Sequence, residues 1–251
     1  MMNLYEAIGC RHSVRKYTDR EVTEKLRGQI LSYFDKTSRL NDRIRVEAVI
    51  FDNTKKKADV HGLWKVDAPY YLAIYSDQEE GCERNAGYLM EQMVLYMTAK
   101  GIGTCYLGSV QPAQKVRGGK RCLMMVAFGY PEGKLYRESP LAKRLPLNEL
   151  CIFKEEAGEQ MKTILRAARL APSAMNTQPW RFIVYSDRIY VFALKTRFPG
   201  KSFPMRCANS ASASCSPTLC SPPKNSGWNF RRRRRNILRL KVTKMEIMWR
   251  R

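Results

Sequence analysis

APSAMNTQPWRF, residues Ala171 to Phe182, is the stretch on which the reading of this 251-residue chain turns. Pro172 and Pro179 stiffen it, and Ser173, Asn176 and Gln178 offer short polar groups beside Trp180. A planar heterocycle with donors and acceptors on its edge would need such a set. The same composition also describes a well-packed turn between a helix and a strand, and composition does not separate the two. Before the loop, Glu155 to Leu170 reads as a helix ending ahead of Pro172. After it, RFIVY and IYVFAL read as two strands of a hairpin joined through Ser186, Asp187 and Arg188.

Further out, Val22, Leu26, Ile30 and Phe34 recur every four residues and draw one face of a surface helix. Arg45 to Phe51 and Pro69 to Tyr75 are rich in Val, Ile and Tyr and read as strands. From Cys82 to Lys100 the apolar positions Ala86, Leu89, Met90, Met93, Val94 and Met97 define a long helix with a wide apolar face, stopped by Gly101. CLMMVAFGY, Cys122 to Tyr130, is a nearly continuous apolar run, as expected for a strand buried on both faces. The order of elements predicts a mixed α+β protein rather than an alternating parallel one.

Hydrophobic content of 44% with 27% charge suits a globular enzyme, and no apolar run approaches the roughly 20 residues that span a bilayer. The start, MMNLYEAIGCRH, lacks a basic region followed by an apolar one, so a cytoplasmic protein without a membrane partner is expected. Eight cysteines form no CxxC pair and no metal-ligand spacing, so no metal is expected. The first five, Cys10, Cys82, Cys105, Cys122 and Cys151, read as small buried hydrophobes. Of the two histidines, His12 is expected to be solvated or bonded to backbone rather than an acid/base catalyst. His61 lies in a polar loop with no acidic or thiol partner in view. The glycines Gly101, Gly103 and Gly108 do not form GxGxxG and follow a helix, which disfavours a dinucleotide-binding turn.

The formal charge of +22 is unevenly spread: residues 201 to 251 hold thirteen Lys and Arg against one acid. RRRRR at 231 to 235 has no neutralising neighbour, and apolar periodicity is lost from Lys201 onward. AGA arginine codons become Glu or Lys codons one or two bases out of phase. We therefore expect 201–251 to be a basic low-complexity tail, disordered or translated out of frame. A disordered arm for nucleic acid is the competing reading, and nucleic acid is not expected as a partner except through it.

In CRHSVRKY, after a short amphipathic helix, Arg11, Ser13 and Arg15 alternate. In an extended segment alternation puts all three on one side, where two guanidinium forks and a hydroxyl can surround a phosphate. Taken alone, an Arg-x-Ser-x-Arg is more often a solvated basic face.

Together the two stretches resemble signatures of the FMN-dependent nitroreductase family. IGCRHSVRKYTDREV (8–22) is similar to its phosphate-binding stretch and APSAMNTQPWRFIV (171–184) to its flavin-ring loop. The resemblance covers roughly residues 3 to 195. It implies that Arg11, His12, Ser13 and Arg15 contact the flavin phosphate and that Asn176 lies near the ring, with Ser173 and Gln178 in the same loop. GIGTCYLGSV (101–110) resembles the family's segment beside the flavin and contributes Leu107 and Gly108. LAKRLPL (141–147) resembles its C-terminal basic element, so Arg144, and with it Lys143, should return to the phosphate.

The order departs from an ordinary member, in which the ring loop lies between the first two of these elements. Here it follows all the others, and the corresponding early region, DKTSRLNDRIRVEAVIF (35–51), lacks it. That arrangement is similar to a tandem, single-chain branch, which implies two degenerate repeats forming an internal pseudo-dimer: 1–150 for the phosphate side and 151–200 for the ring side. The implied activity is transfer of hydride from NADH or NADPH through FMN to a small-molecule acceptor such as a nitroaromatic or quinone, by a monomer. The flavin N5 carries that chemistry, so no protein nucleophile is required. An FMN-binding protein without turnover is the nearer alternative.

Overall fold

A computed structural model describes residues 2–194, 229–233 and 237–241. The chain divides into two compact units, Met1–Ala142 and Lys143–Arg251.

The first unit runs α1 (Leu4–Cys10), α2 (Glu24–Lys36), β1 (Val46–Asp52), β2 (Val60–Gly62), β3 (Tyr70–Ser76), α3 (Cys82–Ala99), β4 (Gly103–Leu107), β5 (Val110–Pro112), β6 (Val116–Arg117) and β7 (Lys120–Gly129). Its main sheet has the order β1-β3-β7-β4 with β6 on β7, every pairing antiparallel, while β2 and β5 form a separate pair. Strand alternation sorts β3 into two cores. Tyr70, Leu72 and Ile74 face α2 and α3, packing with Ile30, Phe34, Leu89, Met93 and Met97. Tyr71, Ala73 and Tyr75 face the other way, with Val14, Tyr17, Cys105 and Met125. The continuous apolar run in β7 has the same cause, Val126 and Phe128 joining one core and Met125 and Ala127 the other. Burial on both faces thus occurs in an antiparallel sheet, because a second layer covers the face away from the helices.

Capping explains the helix limits. Asn3 and Glu6 exchange bonds around the start of α1, Glu6 N–H donating to Asn3 Oδ1 at 2.9 Å and Asn3 N–H to Glu6 Oε2 at 2.8 Å. The Thr23 side chain accepts from Leu26 N–H at the start of α2. Gly101, at φ 81°, ends α3, as its position in the sequence predicts, and Ile102 N–H then reaches back to the Met97 carbonyl at 2.9 Å.

The second unit holds α4 (Leu147–Leu150), β8 (Cys151–Phe153), α5 (Glu159–Arg169), β9 (Trp180–Val184), β10 (Arg188–Ala193), β11 (Asn229–Arg233) and β12 (Ile237–Lys241). The sheet order is β11-β12-β10-β9-β8. β9 and β10 form the expected hairpin. β8 pairs parallel to β9 across α5, a crossover that three residues of strand are too short to announce in sequence. α5 starts at Glu159, not Glu155: the Glu155 carboxylate accepts from Ser186 N–H at 2.9 Å, and Gly158 is still extended at ψ 162°. β11 and β12 fall in the stretch read as tail, and β12 pairs with β10. The rest of that stretch, and the out-of-frame reading with it, lies outside the described residues.

Among the described residues no helix is long and apolar enough to cross a membrane. The five cysteines described are free thiols, four buried and Cys10 half-buried.

Candidate functional site

In the first unit the segment after α1 is laced into the structure from both sides. Ser13 bridges Thr104 of β4, and Val14 N–H donates to the Thr104 carbonyl at 2.9 Å. On the other side Thr18 N–H donates to Tyr130, Glu132 N–H to Lys16, and Arg137 N–H to the Cys10 carbonyl at 2.7 Å. The close approach to β4 requires Gly103, where a Cβ would stand 2.8 Å from Val14 Cγ2. Tyr17, buried beneath the segment, donates its hydroxyl to the Val14 carbonyl at 2.8 Å. Sequence reasoning weighed Gly103 only as part of a dinucleotide-binding turn and passed over Tyr17; both hold the segment in place.

The alternation of Arg11, Ser13 and Arg15 is visible at Cys105. Burial raises that thiol's pKa, while the charges of Arg15 and Arg11 and a hydrogen bond with Ser13 oppose the rise. The three side chains differ in depth: Arg11 is 3% exposed, Ser13 half-buried and Arg15 exposed. Arg11 Nη1 is shut away from solvent without a hydrogen-bond partner, and Arg11 is in no salt bridge among the described residues. A buried guanidinium in that state is costly unless an anion completes it. His12 is bonded to backbone, its Nε2–H donating to the Lys134 carbonyl at 2.8 Å. Leu107 ends β4 with its side chain in the second core, and Gly108 lies exposed after it.

In the second unit the loop 173–178 is held by polar bonds and by strain. Met175, Asn176 and Gln178 all have left-handed backbones, at φ 50°, 57° and 46°. Such conformations cost roughly 1–2 kcal/mol per residue and persist only where surroundings impose them. Arg144 Nη1 donates to Asn176 Oδ1 at 2.8 Å, and Asn176 Nδ2 donates to the Lys143 carbonyl at 2.9 Å. Arg144 also donates to the Leu170 carbonyl at 3.2 Å. The structure therefore joins three predicted site residues, Lys143, Arg144 and Asn176, through direct bonds. Arg169, unremarked in the sequence, fixes the same basic segment by donating to the carbonyls of Leu145 and Arg144.

Gln178 and Ser173 serve the loop itself. Gln178 is 4% exposed; its Oε1 accepts from Leu145 N–H at 2.7 Å and its Nε2 donates to the Asn176 carbonyl at 3.0 Å. Ser173 Oγ accepts from Gln178 N–H at 2.9 Å. Trp180 is fully buried in β9, so its indole is a core group and not a flat platform beside a ligand. One further expectation is overturned: His61 has an acidic partner, Asp59, whose carboxylate accepts from its Nε2. Residues two apart on an extended segment share a side, which the loop reading hid. Both are exposed.

Residues 3–205 match the family model described as "Putative TM nitroreductase". The chain belongs to that nitroreductase family. A "putative nitroreductase" structure from Thermotoga maritima shares the fold, with a TM-score of 0.59 at 21% identity over 96% of this chain and 94% of that one. A nitroreductase family protein of Clostridium difficile 630 gives 0.51 at 18% identity, covering 62% of this chain and all of that one. A "Putative NADH dehydrogenase/NAD(P)H nitroreductase" of Archaeoglobus fulgidus is 38% identical over 73 residues, 29% of this chain. The match spans only 38% of that relative's length. The nitroreductase-like α+β fold expected from the sequence is thus the fold observed.

Proposed function

We propose that this nitroreductase-family protein is an FMN-dependent oxidoreductase that passes hydride from NADH or NADPH to a small-molecule acceptor such as a nitroaromatic or quinone. The observation that carries this reading is Arg11, 3% exposed, with Nη1 unpartnered in a segment bonded on both sides. That donor set fits a phosphate monoester. Arg11, Ser13 and Arg15 would hold the flavin phosphate; Arg144, which the resemblance sends to the phosphate, is bonded to Asn176 instead, and that pair would meet the ring edge. Bound FMN would supply the hydride-accepting centre. The chain's own residues bind and orient: the strained loop 173–178 presents Asn176 in one fixed pose, and Arg144 adds positive charge where reduction would build negative charge.

The internal pseudo-dimer belongs to the same proposal. Each unit contains a helix followed by an antiparallel strand pair, α2 with β1 and β3 in one, α5 with β9 and β10 in the other. The phosphate motif occurs only in the first and the ring loop only in the second.

The test is the visible spectrum of purified protein before and after anaerobic NADH or NADPH. A flavin spectrum that bleaches supports the reading. Protein that is colourless and cannot be reconstituted with FMN overturns it, and colour without bleaching leaves a flavin-binding protein without turnover.

A further inference from the structure

We propose that Arg137 is a second guanidinium arm of the anion site in the first unit, closing with Arg11 on one phosphoryl group. The proposal rests on the flavin reading above only for which molecule carries that phosphoryl group.

Arg137 follows β7 in the strand-like return that runs beside residues 10–18. Its N–H donates to the Cys10 carbonyl, next to Arg11, and three residues earlier the Lys134 carbonyl takes the His12 ring. The backbone thus fixes Arg137 against the phosphate-type segment. Its Nε and Nη2 are shut away from solvent with no hydrogen-bond partner, as is Arg11 Nη1. Burial, and then the like charge of Arg11, pull the Arg137 pKa down, which places the two guanidinium groups within each other's field.

Glu6 accepts from the Asn3 backbone at the start of α1, and Glu91 accepts from the Tyr106 hydroxyl at 2.6 Å. No salt bridge to Arg11 or Arg137 occurs among the described residues. Three unfilled donor atoms on two like-charged guanidinium groups are what a bridging anion would complete. A dianionic phosphoryl group supplies both the charge and the acceptor oxygens. The sequence resemblance assigns no role to Arg137; the pairing with Cys10 brings it into place.

The experiment uses the full chain and Arg137→Met. Dissociation constants are measured for FMN and for riboflavin, which lacks the phosphate, and melting temperatures of flavin-free protein are measured with and without inorganic phosphate. We expect FMN affinity to fall about 10- to 100-fold, the range for losing charge-assisted bonds, with riboflavin affinity unchanged. We also expect phosphate to raise the melting temperature of the wild type and not of the variant. The ligand-free variant should melt higher than ligand-free wild type, because a repulsion is gone.

Equal loss of FMN and riboflavin affinity, or phosphate stabilisation that survives in the variant, would overturn the proposal, as would unchanged FMN binding. If the wild type binds neither flavin yet gains stability from phosphate through Arg137, the anion site stands and the flavin reading fails. Should Arg137→Met not fold, Arg137→Gln, which removes the charge and keeps a polar side chain, gives the same comparison.

Discussion

Cys122 shows how a buried thiol writes itself into the pH dependence of stability. Burial pushes its pKa from an ordinary 9 up to about 12. Below pH 9 the thiol is protonated in both folded and unfolded chains and contributes no pH dependence. From pH 9 to 12 the unfolded chain ionises while the folded one does not, so stability falls as pH rises. Urea midpoints measured up that range should show the wild type losing about 1 kcal/mol per pH unit more than Cys122→Ala. Parallel curves would show that the thiol reaches water before unfolding. Gln178 makes a different residue-scale prediction, since replacing its amide strands Leu145 N–H and frees the loop. Gln178→Leu should cost about 2 kcal/mol in denaturant unfolding, and a loss near zero would mean that water replaces the amide. Both residues were visible in sequence, Cys122 as a buried hydrophobe and Gln178 as a polar candidate. Only the fold shows that the amide of Gln178 is directed inward.

At the scale of elements, the junction of the 13–15 segment with β4 is the sensitive one. Gly103 leaves no room for a methyl group against Val14, whose side chain belongs to the second core. Gly103→Ala should destabilise by about 1–3 kcal/mol and weaken FMN binding together, because the segment bearing Arg11 and Ser13 must lift. Gly103→Ala with Val14→Ala should recover part of the stability, giving a coupling of about 1 kcal/mol in a double-mutant cycle. Additive losses would show that the two positions do not meet. The long helix α3 was legible because its apolar residues keep one period over many positions, and β7 because its apolar run is nearly continuous. β2, β6 and β8, of two or three residues each, were not, since a strand that short has no period of its own. The start of α5 was misjudged by four residues because Glu155, a good helix former, is drawn to Ser186 on the hairpin turn.

Twelve of the 22 net positive charges fall in the last 51 residues, thirteen basic against one acidic. Oxidoreduction needs no such tail. Truncation after residue 200 should therefore remove salt-sensitive retention on heparin or nucleic acid while leaving any bound flavin in place. Loss of flavin on truncation would instead tie residues 201–251, which contain β11 and β12, to the integrity of the second unit. If the two units act as an internal pair, light scattering on the flavin-loaded protein should give a monomer of 29.1 kDa with one FMN per chain. A dimer with two flavins would contradict that arrangement.

The sequence by itself determined the family, the α+β class, and the principal helices and strands. Each rests on local pattern: a helical period in α3, an apolar run in β7, an alternation in Arg11, Ser13 and Arg15. Tertiary structure alone decided what each side chain is left to do, because that depends on partners far away in the chain. Trp180 sinks into the core, Gln178 turns to Leu145, Arg144 takes hold of Asn176, and His61 finds Asp59. Arg137, 126 positions from Arg11, comes beside the segment that bears it only because the return after β7 hydrogen-bonds to Cys10.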